Sequence, residues 1–538
     1  MKKLVSRFMA VLMAMTMILS MSMTAFAAEA SKGTLTVNNT VAEKTLDLYQ
    51  IFTATKNGDN VAYTLNSSYE GFFKNNTRIP GSESLTGEAL SEKAYEYVKT
   101  QVGEDGKNGT GFAKEILGWI LANADTVAAT HTIVTTTANT TVIRDLAYGY
   151  YVVYPLGATD TSAAPGEQDY TSVASLVSVT GDTSINMKSN YPTVVKKVND
   201  KTADDVNIGD TVTYTLTSKV PDMTGYDSYV FNFKDTLSAG LTFKEITSVT
   251  VGETTITKVD AGQEANDTYT LTQTGQNITI TMNNFLASNA NKVGQEIKVT
   301  YTVTLNKDAV TGFDANKNSA TVEYSNKPGT DNKGESEPSI VDVHTFNFTI
   351  FKYYLKGADK TGLANAEFEL YKANEAGDAA DENAKINIVD EGKGVYRQAT
   401  ADEAKVTGFT SAKIVSDDDG KVLVKGLDAG SYYLRETKAP EGYNKLLSDI
   451  KIEIKPVYDE TTGKLTSYSV DYTYNGTKTT GTAITSKDNS PEVAVENKTG
   501  AQLPSTGSKG ALMVTLAGIV LFGALTASKA FGKKKANN

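Results

Sequence analysis

Two short segments each place a lysine inside an apolar run: Val-Val-Lys-Lys-Val at Val194–Val198 and Ile-Phe-Lys-Tyr-Tyr at Ile350–Tyr354. Side chains alternate between the two faces of a β-strand, so Lys196 and Lys352 share a face with apolar neighbours, while Lys197 points the other way. Because an isolated buried charge is strongly unfavourable, each inward lysine predicts a polar partner within a sheet-built core.

The sequence around these segments has the pattern of antiparallel β-sandwiches. Val, Thr, Tyr and Ile recur in short alternating runs interrupted by Gly, Asn and Asp. One region differs, because residues 85–102 and 111–124 carry apolar side chains at helical spacing. We therefore predict an all-β chain of tandem sandwiches, the first of them with a helical insertion.

Composition excludes several classes of function. The chain has no cysteine, two histidines and a formal net charge of −11. Disulfides and Cys–His catalysis are excluded, and two histidines leave almost no side chains from which to build a His-based catalytic or metal site. The acidic balance argues against a nucleic-acid partner. We expect no metal, no cofactor and no turnover enzyme, although residue count alone leaves a carboxylate-pair glycosidase open.

One acidic loop could suggest a calcium site. Residues Asp417–Lys421 read Asp-Asp-Asp-Gly-Lys, but they lack the spacing and the distal glutamate of an EF-hand loop. An Asp-Gly pair between strands predicts a hairpin turn instead.

Both ends of the chain carry targeting features. Lys2, Lys3 and Arg7 precede an apolar stretch, and Ala25–Ala27 forms an Ala-x-Ala cleavage site, so residues 1–27 are predicted to be a signal peptide. At the other end, an apolar run over 511–527 is followed by three lysines at 533–535, the pattern of a membrane-spanning segment with a cytoplasmic tail.

A short motif precedes that apolar run. Leu503, Pro504, Ser505, Thr506 and Gly507 resemble the LPxTG sorting signal of Gram-positive surface proteins. The resemblance implies that a sortase cuts between Thr506 and Gly507 and transfers the threonine carbonyl to an amine. A simple C-terminal membrane anchor is the alternative for this tail.

Linkers divide the exported part of the chain. About 475 mature residues predict three domains at roughly 150 residues each. Breaks at 188–192 and 335–339 separate the domains. We therefore predict an N-terminal domain over 28–188, a second over 189–340, a third over 341–499, and a sorting signal over 500–538.

The alternation of side chains between the two faces of a strand, called strand parity below, brings further polar residues to the inward faces of the second and third domains. Asn318 shares a face with Val322, and Asn497 shares a face with Val495, on strands that we expect to close their domains. Two acids follow the same rule. Asp235 alternates with two phenylalanines, and Glu436 alternates with Tyr432 and Leu434.

Such a set permits one particular reaction. Burial lowers the pKa of a lysine and raises that of a carboxyl group. A neutral lysine amine can then attack an asparagine carboxamide, with the protonated acid assisting as ammonia leaves. The product is an intramolecular Lys–Asn isopeptide bond between the first and last strands. From parity alone, a buried Lys–acid ion pair capped by Asn is an equally good interpretation.

Three segments resemble known families. Residues 432–443, Tyr-Tyr-Leu-Arg-Glu-Thr-Lys-Ala-Pro-Glu-Gly-Tyr, are similar to the E-box of Gram-positive pilins. Residues 363–371 resemble the strand after the reactive lysine in Cna-B-type domains, and 235–241 resemble the acid-bearing segment of Cna-A-type domains. The chain thus resembles a major backbone subunit of a sortase-assembled pilus.

This resemblance implies a row of immunoglobulin-like domains with self-formed isopeptide bonds. The implied second-domain set, of Cna-A-like type, is Lys196 and Asn318 with Asp235 as the promoting acid. The implied third-domain set, of Cna-B-like type, is Lys352 and Asn497 with Glu436. The opening strand of the first domain, at 33–37, has no inward lysine, so no bond is expected there.

A backbone pilin also needs an exposed lysine that accepts the next subunit. The family often has Tyr-Pro-Lys near the end of the first domain, whereas this chain has Tyr191, Pro192 and Thr193. Lys188 follows a strand whose Ile185 and Met187 point inward, so parity predicts that Lys188 points outward, and we expect it to be the linking residue. Lys197 remains the alternative.

The resulting functional expectation is a covalent pilus shaft on the Gram-positive cell wall. The implied partners are a pilin-specific sortase, identical subunits joined head to tail, minor tip and base pilins, peptidoglycan and host surface ligands. A monomeric wall-anchored adhesin built from the same domain types is the alternative.

Overall fold

The computed structural model describes residues 31–103, 109–136, 139–158, 173–187, 190–223 and 225–499. The predicted signal peptide, Lys188 and the entire sorting signal, including its apolar run, lie outside these ranges. No helix in the described ranges is long and apolar enough to cross a membrane.

The first domain is a two-sheet sandwich with helices on one side. The three-stranded sheet has the order β5-β1-β8, and the five-stranded sheet has the order β3-β2-β6-β7 with β4 beside β2. Its elements are β1 (Lys32–Asn38), β2 (Thr45–Asn57), β3 (Asn60–Leu65), α1 (Glu70–Phe73), α2 (Gly87–Val102), α3 (Gly109–Ala122), β4 (His131–Val134), β5 (Thr140–Ala147), β6 (Gly149–Pro155), β7 (Ser175–Val179) and β8 (Thr183–Asn186).

The helical insertion covers the outer face of the larger sheet. Strand β2 is buried on both faces over most of its first half, because one face meets the other sheet and the other meets the helices. Phe112, Ile116 and Ile120 of α3 belong to the same buried cluster as Ile51 and Phe52 of β2. The prediction of a helical insertion in this domain is confirmed.

The second domain is a larger sandwich. An eight-stranded sheet has the order β10-β21-β19-β12-β17-β16-β15 with β20 beside β19, and it faces a five-stranded sheet of order β14-β13-β18-β11-β9. Its elements are β9 (Val195–Val198), β10 (Ala203–Asp205), β11 (Thr211–Lys219), β12 (Phe231–Leu237), β13 (Leu241–Val251), β14 (Thr254–Thr255), β15 (Thr257–Lys258), β16 (Thr268–Thr274), β17 (Asn277–Met282), α4 (Phe285–Asn289), β18 (Glu296–Leu305), β19 (Asn316–Ser325), β20 (Lys333–Glu335) and β21 (Ser339–His344).

The third domain repeats the two-sheet plan. Its six-stranded sheet has the order β23-β22-β29-β27-β26 with β34 beside β22, and its seven-stranded sheet has the order β25-β24-β30-β31-β32-β33 with β28 beside β24. Its elements are β22 (Phe346–Lys356), β23 (Asp359–Gly362), β24 (Glu367–Ala373), β25 (Ala380–Lys385), β26 (Ile388–Gly392), β27 (Val395–Gln398), α5 (Ala401–Ala404), β28 (Ile414–Val415), β29 (Lys421–Leu427), β30 (Gly430–Lys438), β31 (Ile450–Tyr458), β32 (Leu465–Tyr474), β33 (Thr477–Thr479) and β34 (Glu492–Glu496).

The prediction of an all-β chain of tandem sandwiches is confirmed, but two details differ. The predicted boundary after residue 340 falls inside β21, which pairs with β19 and β10 in the second-domain sheet. The turn at Asp417–Lys421 is present, with the Gly420 amide donating to the Asp417 carbonyl at 2.9 Å. It is not a hairpin, however, because it connects β28 and β29, which lie in different sheets.

Candidate functional site

The second-domain site lies between the two sheets of the sandwich. Lys196 is on β9 and Tyr301 is on β18, both in the five-stranded sheet, whereas Asp235 on β12 and Asn318 on β19 are in the eight-stranded sheet. All four residues are at most 2% exposed. Because their side chains point inward from two facing sheets, the predicted Lys, Asp and Asn meet in one buried cluster.

Tyr301 holds this cluster together. The Lys196 Nζ forms an ion pair with Asp235 Oδ2 and also donates to the Tyr301 hydroxyl at 2.6 Å. The Tyr301 hydroxyl donates to Asp235 Oδ2 at 2.7 Å. Asn318 Nδ2 donates to the same hydroxyl oxygen at 2.9 Å. The carbonyl oxygen of Asn318 has no hydrogen-bond partner among the described residues.

The surroundings of Lys196 make its neutral amine more accessible than that of an ordinary lysine. Burial lowers the Lys196 pKa to about 8, although the charge of Asp235 opposes this shift. The Nζ atom lies 4.9 Å from the centre of the Tyr214 ring and 5.2 Å from that of the Tyr301 ring. These two rings stack with their centroids 5.4 Å apart, so the amine has an aromatic wall rather than water beside it.

The third-domain site is built within one sheet and completed by the other. Lys352 lies on β22, whose parallel neighbour β34 pairs Val495 opposite Lys352. Asn497 directly follows β34, and its backbone amide donates to the Tyr353 carbonyl at 2.9 Å. Glu436 reaches the pair from β30 in the facing sheet. The side chains of both Lys352 and Glu436 are fully buried.

Glu436 contacts both prospective partners directly. Its Oε1 lies 2.9 Å from the Lys352 Nζ, and its Oε2 accepts from Asn497 Nδ2 at 3.3 Å. The Leu446 amide donates to the same Oε2 at 2.7 Å and fixes the carboxylate. Asn497 Nδ2 also donates to the Asn444 carbonyl. Burial lowers the pKa of Lys352 to about 8, against the opposing charge of Glu436.

Both clusters have the composition that isopeptide formation requires. Each combines a buried lysine of lowered pKa, a carboxyl group in contact with that lysine, and an asparagine amide joined to the carboxyl group directly or through Tyr301. The amide oxygens of both asparagines lack partners among the described residues. The same contacts also suit a buried ion pair, so bond formation stays a prediction.

One expectation about these sites is wrong. Asn318 does not lie on the last strand of the second domain, because β20 and β21 follow it. A Lys196–Asn318 bond would join the first strand to an interior strand of the opposite sheet, since β19 lies between β21 and β12. The sequence pattern also gave no sign of Tyr301. Alternation along β18 places the Tyr301 side chain inward, but a tyrosine within an alternating apolar run is expected to be an ordinary core residue.

The predicted intersubunit residues lie largely outside the described part of the chain. Lys188 and the motif at 503–507, with Thr506, are not within it. The residue before Lys188 is, and Met187 is 3% exposed, as its parity predicts. The alternative, Lys197, is exposed on β9 beside the buried Lys196.

No group of three or more His, Cys, Asp or Glu side chains within the described ranges is arranged to hold a metal ion. Among the described residues of the first domain, the buried charged residue is Asp47, on β2. Its carboxylate accepts from Thr132 Oγ1 at 2.6 Å. No fully buried lysine occurs in the described part of that domain.

Two family models match the chain. Residues 208–328 match the Gram-positive pilin backbone subunit 2, Cna-B-like domain. Residues 353–469 match the SpaA prealbumin-like fold domain. The second domain, for which residues 235–241 predict the Cna-A type, therefore matches a Cna-B-like model instead.

Relatives among known proteins agree with these domain models. The chain is 26% identical to the trypsin-resistant surface T6 protein of Streptococcus pyogenes serotype M6, over 58% of this chain and 53% of that protein. It is 29% identical to the fimbrial subunit type 2 of Actinomyces naeslundii, over 49% of this chain and 50% of that protein. The chain thus spans about half the length of these relatives.

A solved structure of the three-domain T6 backbone pilin of serotype M6 Streptococcus pyogenes also superposes on the chain. The TM-score is 0.46 at 16% identity, over 88% of this chain and all of that one. The domain models and the relatives support the resemblance of this chain to the major backbone pilins of Gram-positive bacteria. The family resemblance predicted from the sequence is confirmed at this level.

Proposed function

We propose that this chain is the shaft subunit of a covalent cell-surface pilus, with its second and third domains each stapled by a self-formed Lys–Asn isopeptide bond. The observation that carries the proposal is the pair of buried Lys–acid–Asn clusters in a chain of backbone-pilin domains. A shaft subunit transmits tension through every copy in the polymer, and it has no cysteine with which to form a disulfide.

The proposed bonds are Lys196–Asn318, promoted by Asp235, and Lys352–Asn497, promoted by Glu436. In each, the lysine passes a proton to the buried acid and attacks the asparagine carbonyl carbon, and ammonia leaves. The contacts of Lys196 and Lys352 with their acids, and the lowered pKa of each lysine, support this chemistry.

Polymerisation needs two reactive groups on each subunit. We assign them to the carbonyl of Thr506, released by sortase cleavage before Gly507, and to the amine of Lys188 on the next subunit. The partners are then a pilin-specific sortase and identical subunits head to tail. Minor pilins would complete the ends, and the assembled fibre would be anchored to peptidoglycan outside the cell.

The test uses Lys188→Ala in a strain that encodes the matching sortases. A denaturing gel of cell-wall digests should lose its ladder of high-mass species, while monomer remains wall-anchored through Thr506. Lys197→Ala is the matched control and should leave the ladder intact. A ladder that survives Lys188→Ala and disappears in Lys197→Ala would move the linkage to Lys197. A parent strain with no ladder would favour a monomeric adhesin.

A further inference from the structure

The Tyr301 hydroxyl contacts every reacting group of the second-domain cluster. It lies 2.6 Å from the Lys196 Nζ, 2.7 Å from Asp235 Oδ2 and 2.9 Å from Asn318 Nδ2. Its proton is directed at the acid, and its oxygen accepts from both the amine and the amide. A buried phenol that only fills the core needs one partner, so three reactive partners call for a chemical explanation.

The phenol is also kept in its protonated form. Burial and the neighbouring charge of Asp235 raise the pKa of Tyr301 well above its ordinary value. At neutral pH the hydroxyl therefore retains a proton that it can give up only as it receives another. That is the property required of a group that passes protons between two neighbours.

Isopeptide formation needs such a transfer at the asparagine. An amide nitrogen leaves readily only when it is protonated, and the proton has to come from a group in contact with it. Asn318 Nδ2 is hydrogen bonded to Tyr301. Asp235, the acid of this site, reaches Nδ2 through that same hydroxyl.

We propose that the Tyr301 hydroxyl relays a proton from Asp235 to the departing amide nitrogen of Asn318. This inference rests on the proposed crosslink between Lys196 and Asn318, and it adds Tyr301 as a catalytic residue of that single-turnover reaction.

The proton and bond balance closes without a further reactant. Lys196 first passes a proton to Asp235, and its neutral amine forms a bond to the Asn318 Cγ. Tyr301 then gives its proton to Nδ2 and takes the proton of Asp235 as the Cγ–Nδ2 bond breaks and ammonia departs. Asp235 finally recovers a proton from the former lysine nitrogen. A neutral amide, a protonated acid and an intact phenol remain.

The third domain shows why the relay belongs to one site. Glu436 is one methylene longer than Asp235, and its two oxygens contact both Lys352 and Asn497. Phe368 provides the aromatic ring near Lys352, at 5.7 Å from Nζ, and a phenylalanine has no proton to give. In this proposal, Asp235 together with the Tyr301 phenol performs in the second domain the proton transfer that the longer Glu436 performs alone in the third.

The test measures bond formation in the full chain during cell-free synthesis. Samples are denatured at intervals and digested, and the branched peptide from each domain is quantified by mass spectrometry. Tyr301→Phe should slow the second-domain bond by about a hundredfold, the size of a typical general-acid contribution. The third-domain bond of the same molecules should form at the parent rate. Tyr269→Phe, at another buried tyrosine of this core, should slow neither.

A second-domain bond that forms at the parent rate in Tyr301→Phe overturns the relay but leaves the crosslink standing. A parent chain without that bond overturns both. Folding is checked by circular dichroism and proteolysis against Asn318→Ala, the folded reference without a bond. If Tyr301→Phe does not fold as Asn318→Ala does, a difluorinated tyrosine at position 301 replaces it as the test of the relay. Its more acidic phenol should lower the pH at which bond formation slows, and an unchanged pH profile would overturn the relay.

Discussion

The second and third domains hold matching residues in different strand arrangements. In the third domain, Lys352 and the strand leading to Asn497 are parallel neighbours in one sheet, and both lie close to the ends of the domain. In the second, Lys196 and Asn318 lie in opposite sheets, and β20 and β21 follow Asn318 before the domain ends.

This difference indicates that the proposed isopeptide chemistry would constrain which side chains touch rather than the order of the strands. Both sites require a desolvated lysine beside an acid, and an amide within reach of that acid's proton. The third domain meets the last requirement with the length of Glu436, and the second meets it with Asp235 and the Tyr301 hydroxyl. Side chains from any two strands that meet in the core can supply such a set.

The largest expected effect tests the direct role of the acid in the third domain. Glu436→Ala should slow the Lys352–Asn497 bond by a factor on the order of 10² to 10⁴, because Lys352 and Asn497 remain without a proton shuttle. Peptide mass spectrometry should then find the two peptides unlinked, with the second-domain bond unchanged. Glu441→Ala, at an exposed acid of the same segment, is the control. Normal yield without Glu436 would show that its assigned role is wrong.

A large stability effect should follow from losing either bond. Each closes a loop of more than a hundred residues, worth about 4–5 kcal/mol if the loop-entropy model for disulfides applies. Asn497→Ala should therefore lower the free energy of unfolding of the third domain and make it the first domain cut by trypsin. Asn383→Ala, at an exposed asparagine, should leave digestion unchanged. Equal digestion of Asn497→Ala and the parent would argue against a structural role for the bond.

A smaller effect, under tension, should separate the two domains. Residues 319–344 lie outside the loop that Lys196 and Asn318 close, so pulling can strip β21 and β20 from the second domain before the bond carries the load. A chain extends by at most about 3.6 Å per residue, which limits this release to roughly 90 Å. The third domain can release only residues 346–351 of β22, before Lys352, and its final residues after Asn497.

Single-molecule pulling on the chain, held at both ends, measures these lengths. The parent should show one short extension from the second domain and none of comparable size from the third. Asn318→Ala should convert the short step into extension of the whole second domain. A parent in which the third domain extends as far as the second would contradict the assigned positions of the bonds.

Local alternation explains what could be predicted from sequence. Parity correctly placed Lys196, Asp235 and Asn318 on inward faces, because a strand's own residues decide which side chains point inward. The helical insertion was equally local, since α2 and α3 carry their own apolar periodicity. These features depend on neighbours a few positions away, which the sequence displays directly.

Strand order depends on pairings between distant segments, and alternation does not encode it. That is why β19 could be mistaken for a closing strand, although β21 is the strand that ends the domain. Tyr301 was missed for a related reason. Its inward direction is local information, but its distance from Lys196 depends on the order β9-β11-β18 within the sheet.

The intact mass of the chain purified as Ala28–Thr506 tests the central claim most directly. Two self-formed bonds predict a mass lower than the sequence mass by two ammonia molecules. Asn318→Ala and Asn497→Ala should each restore one of them, and the branched peptides should join Lys196 to Asn318 and Lys352 to Asn497. A parent mass equal to the sequence mass would contradict both bonds and leave two buried ion pairs in their place.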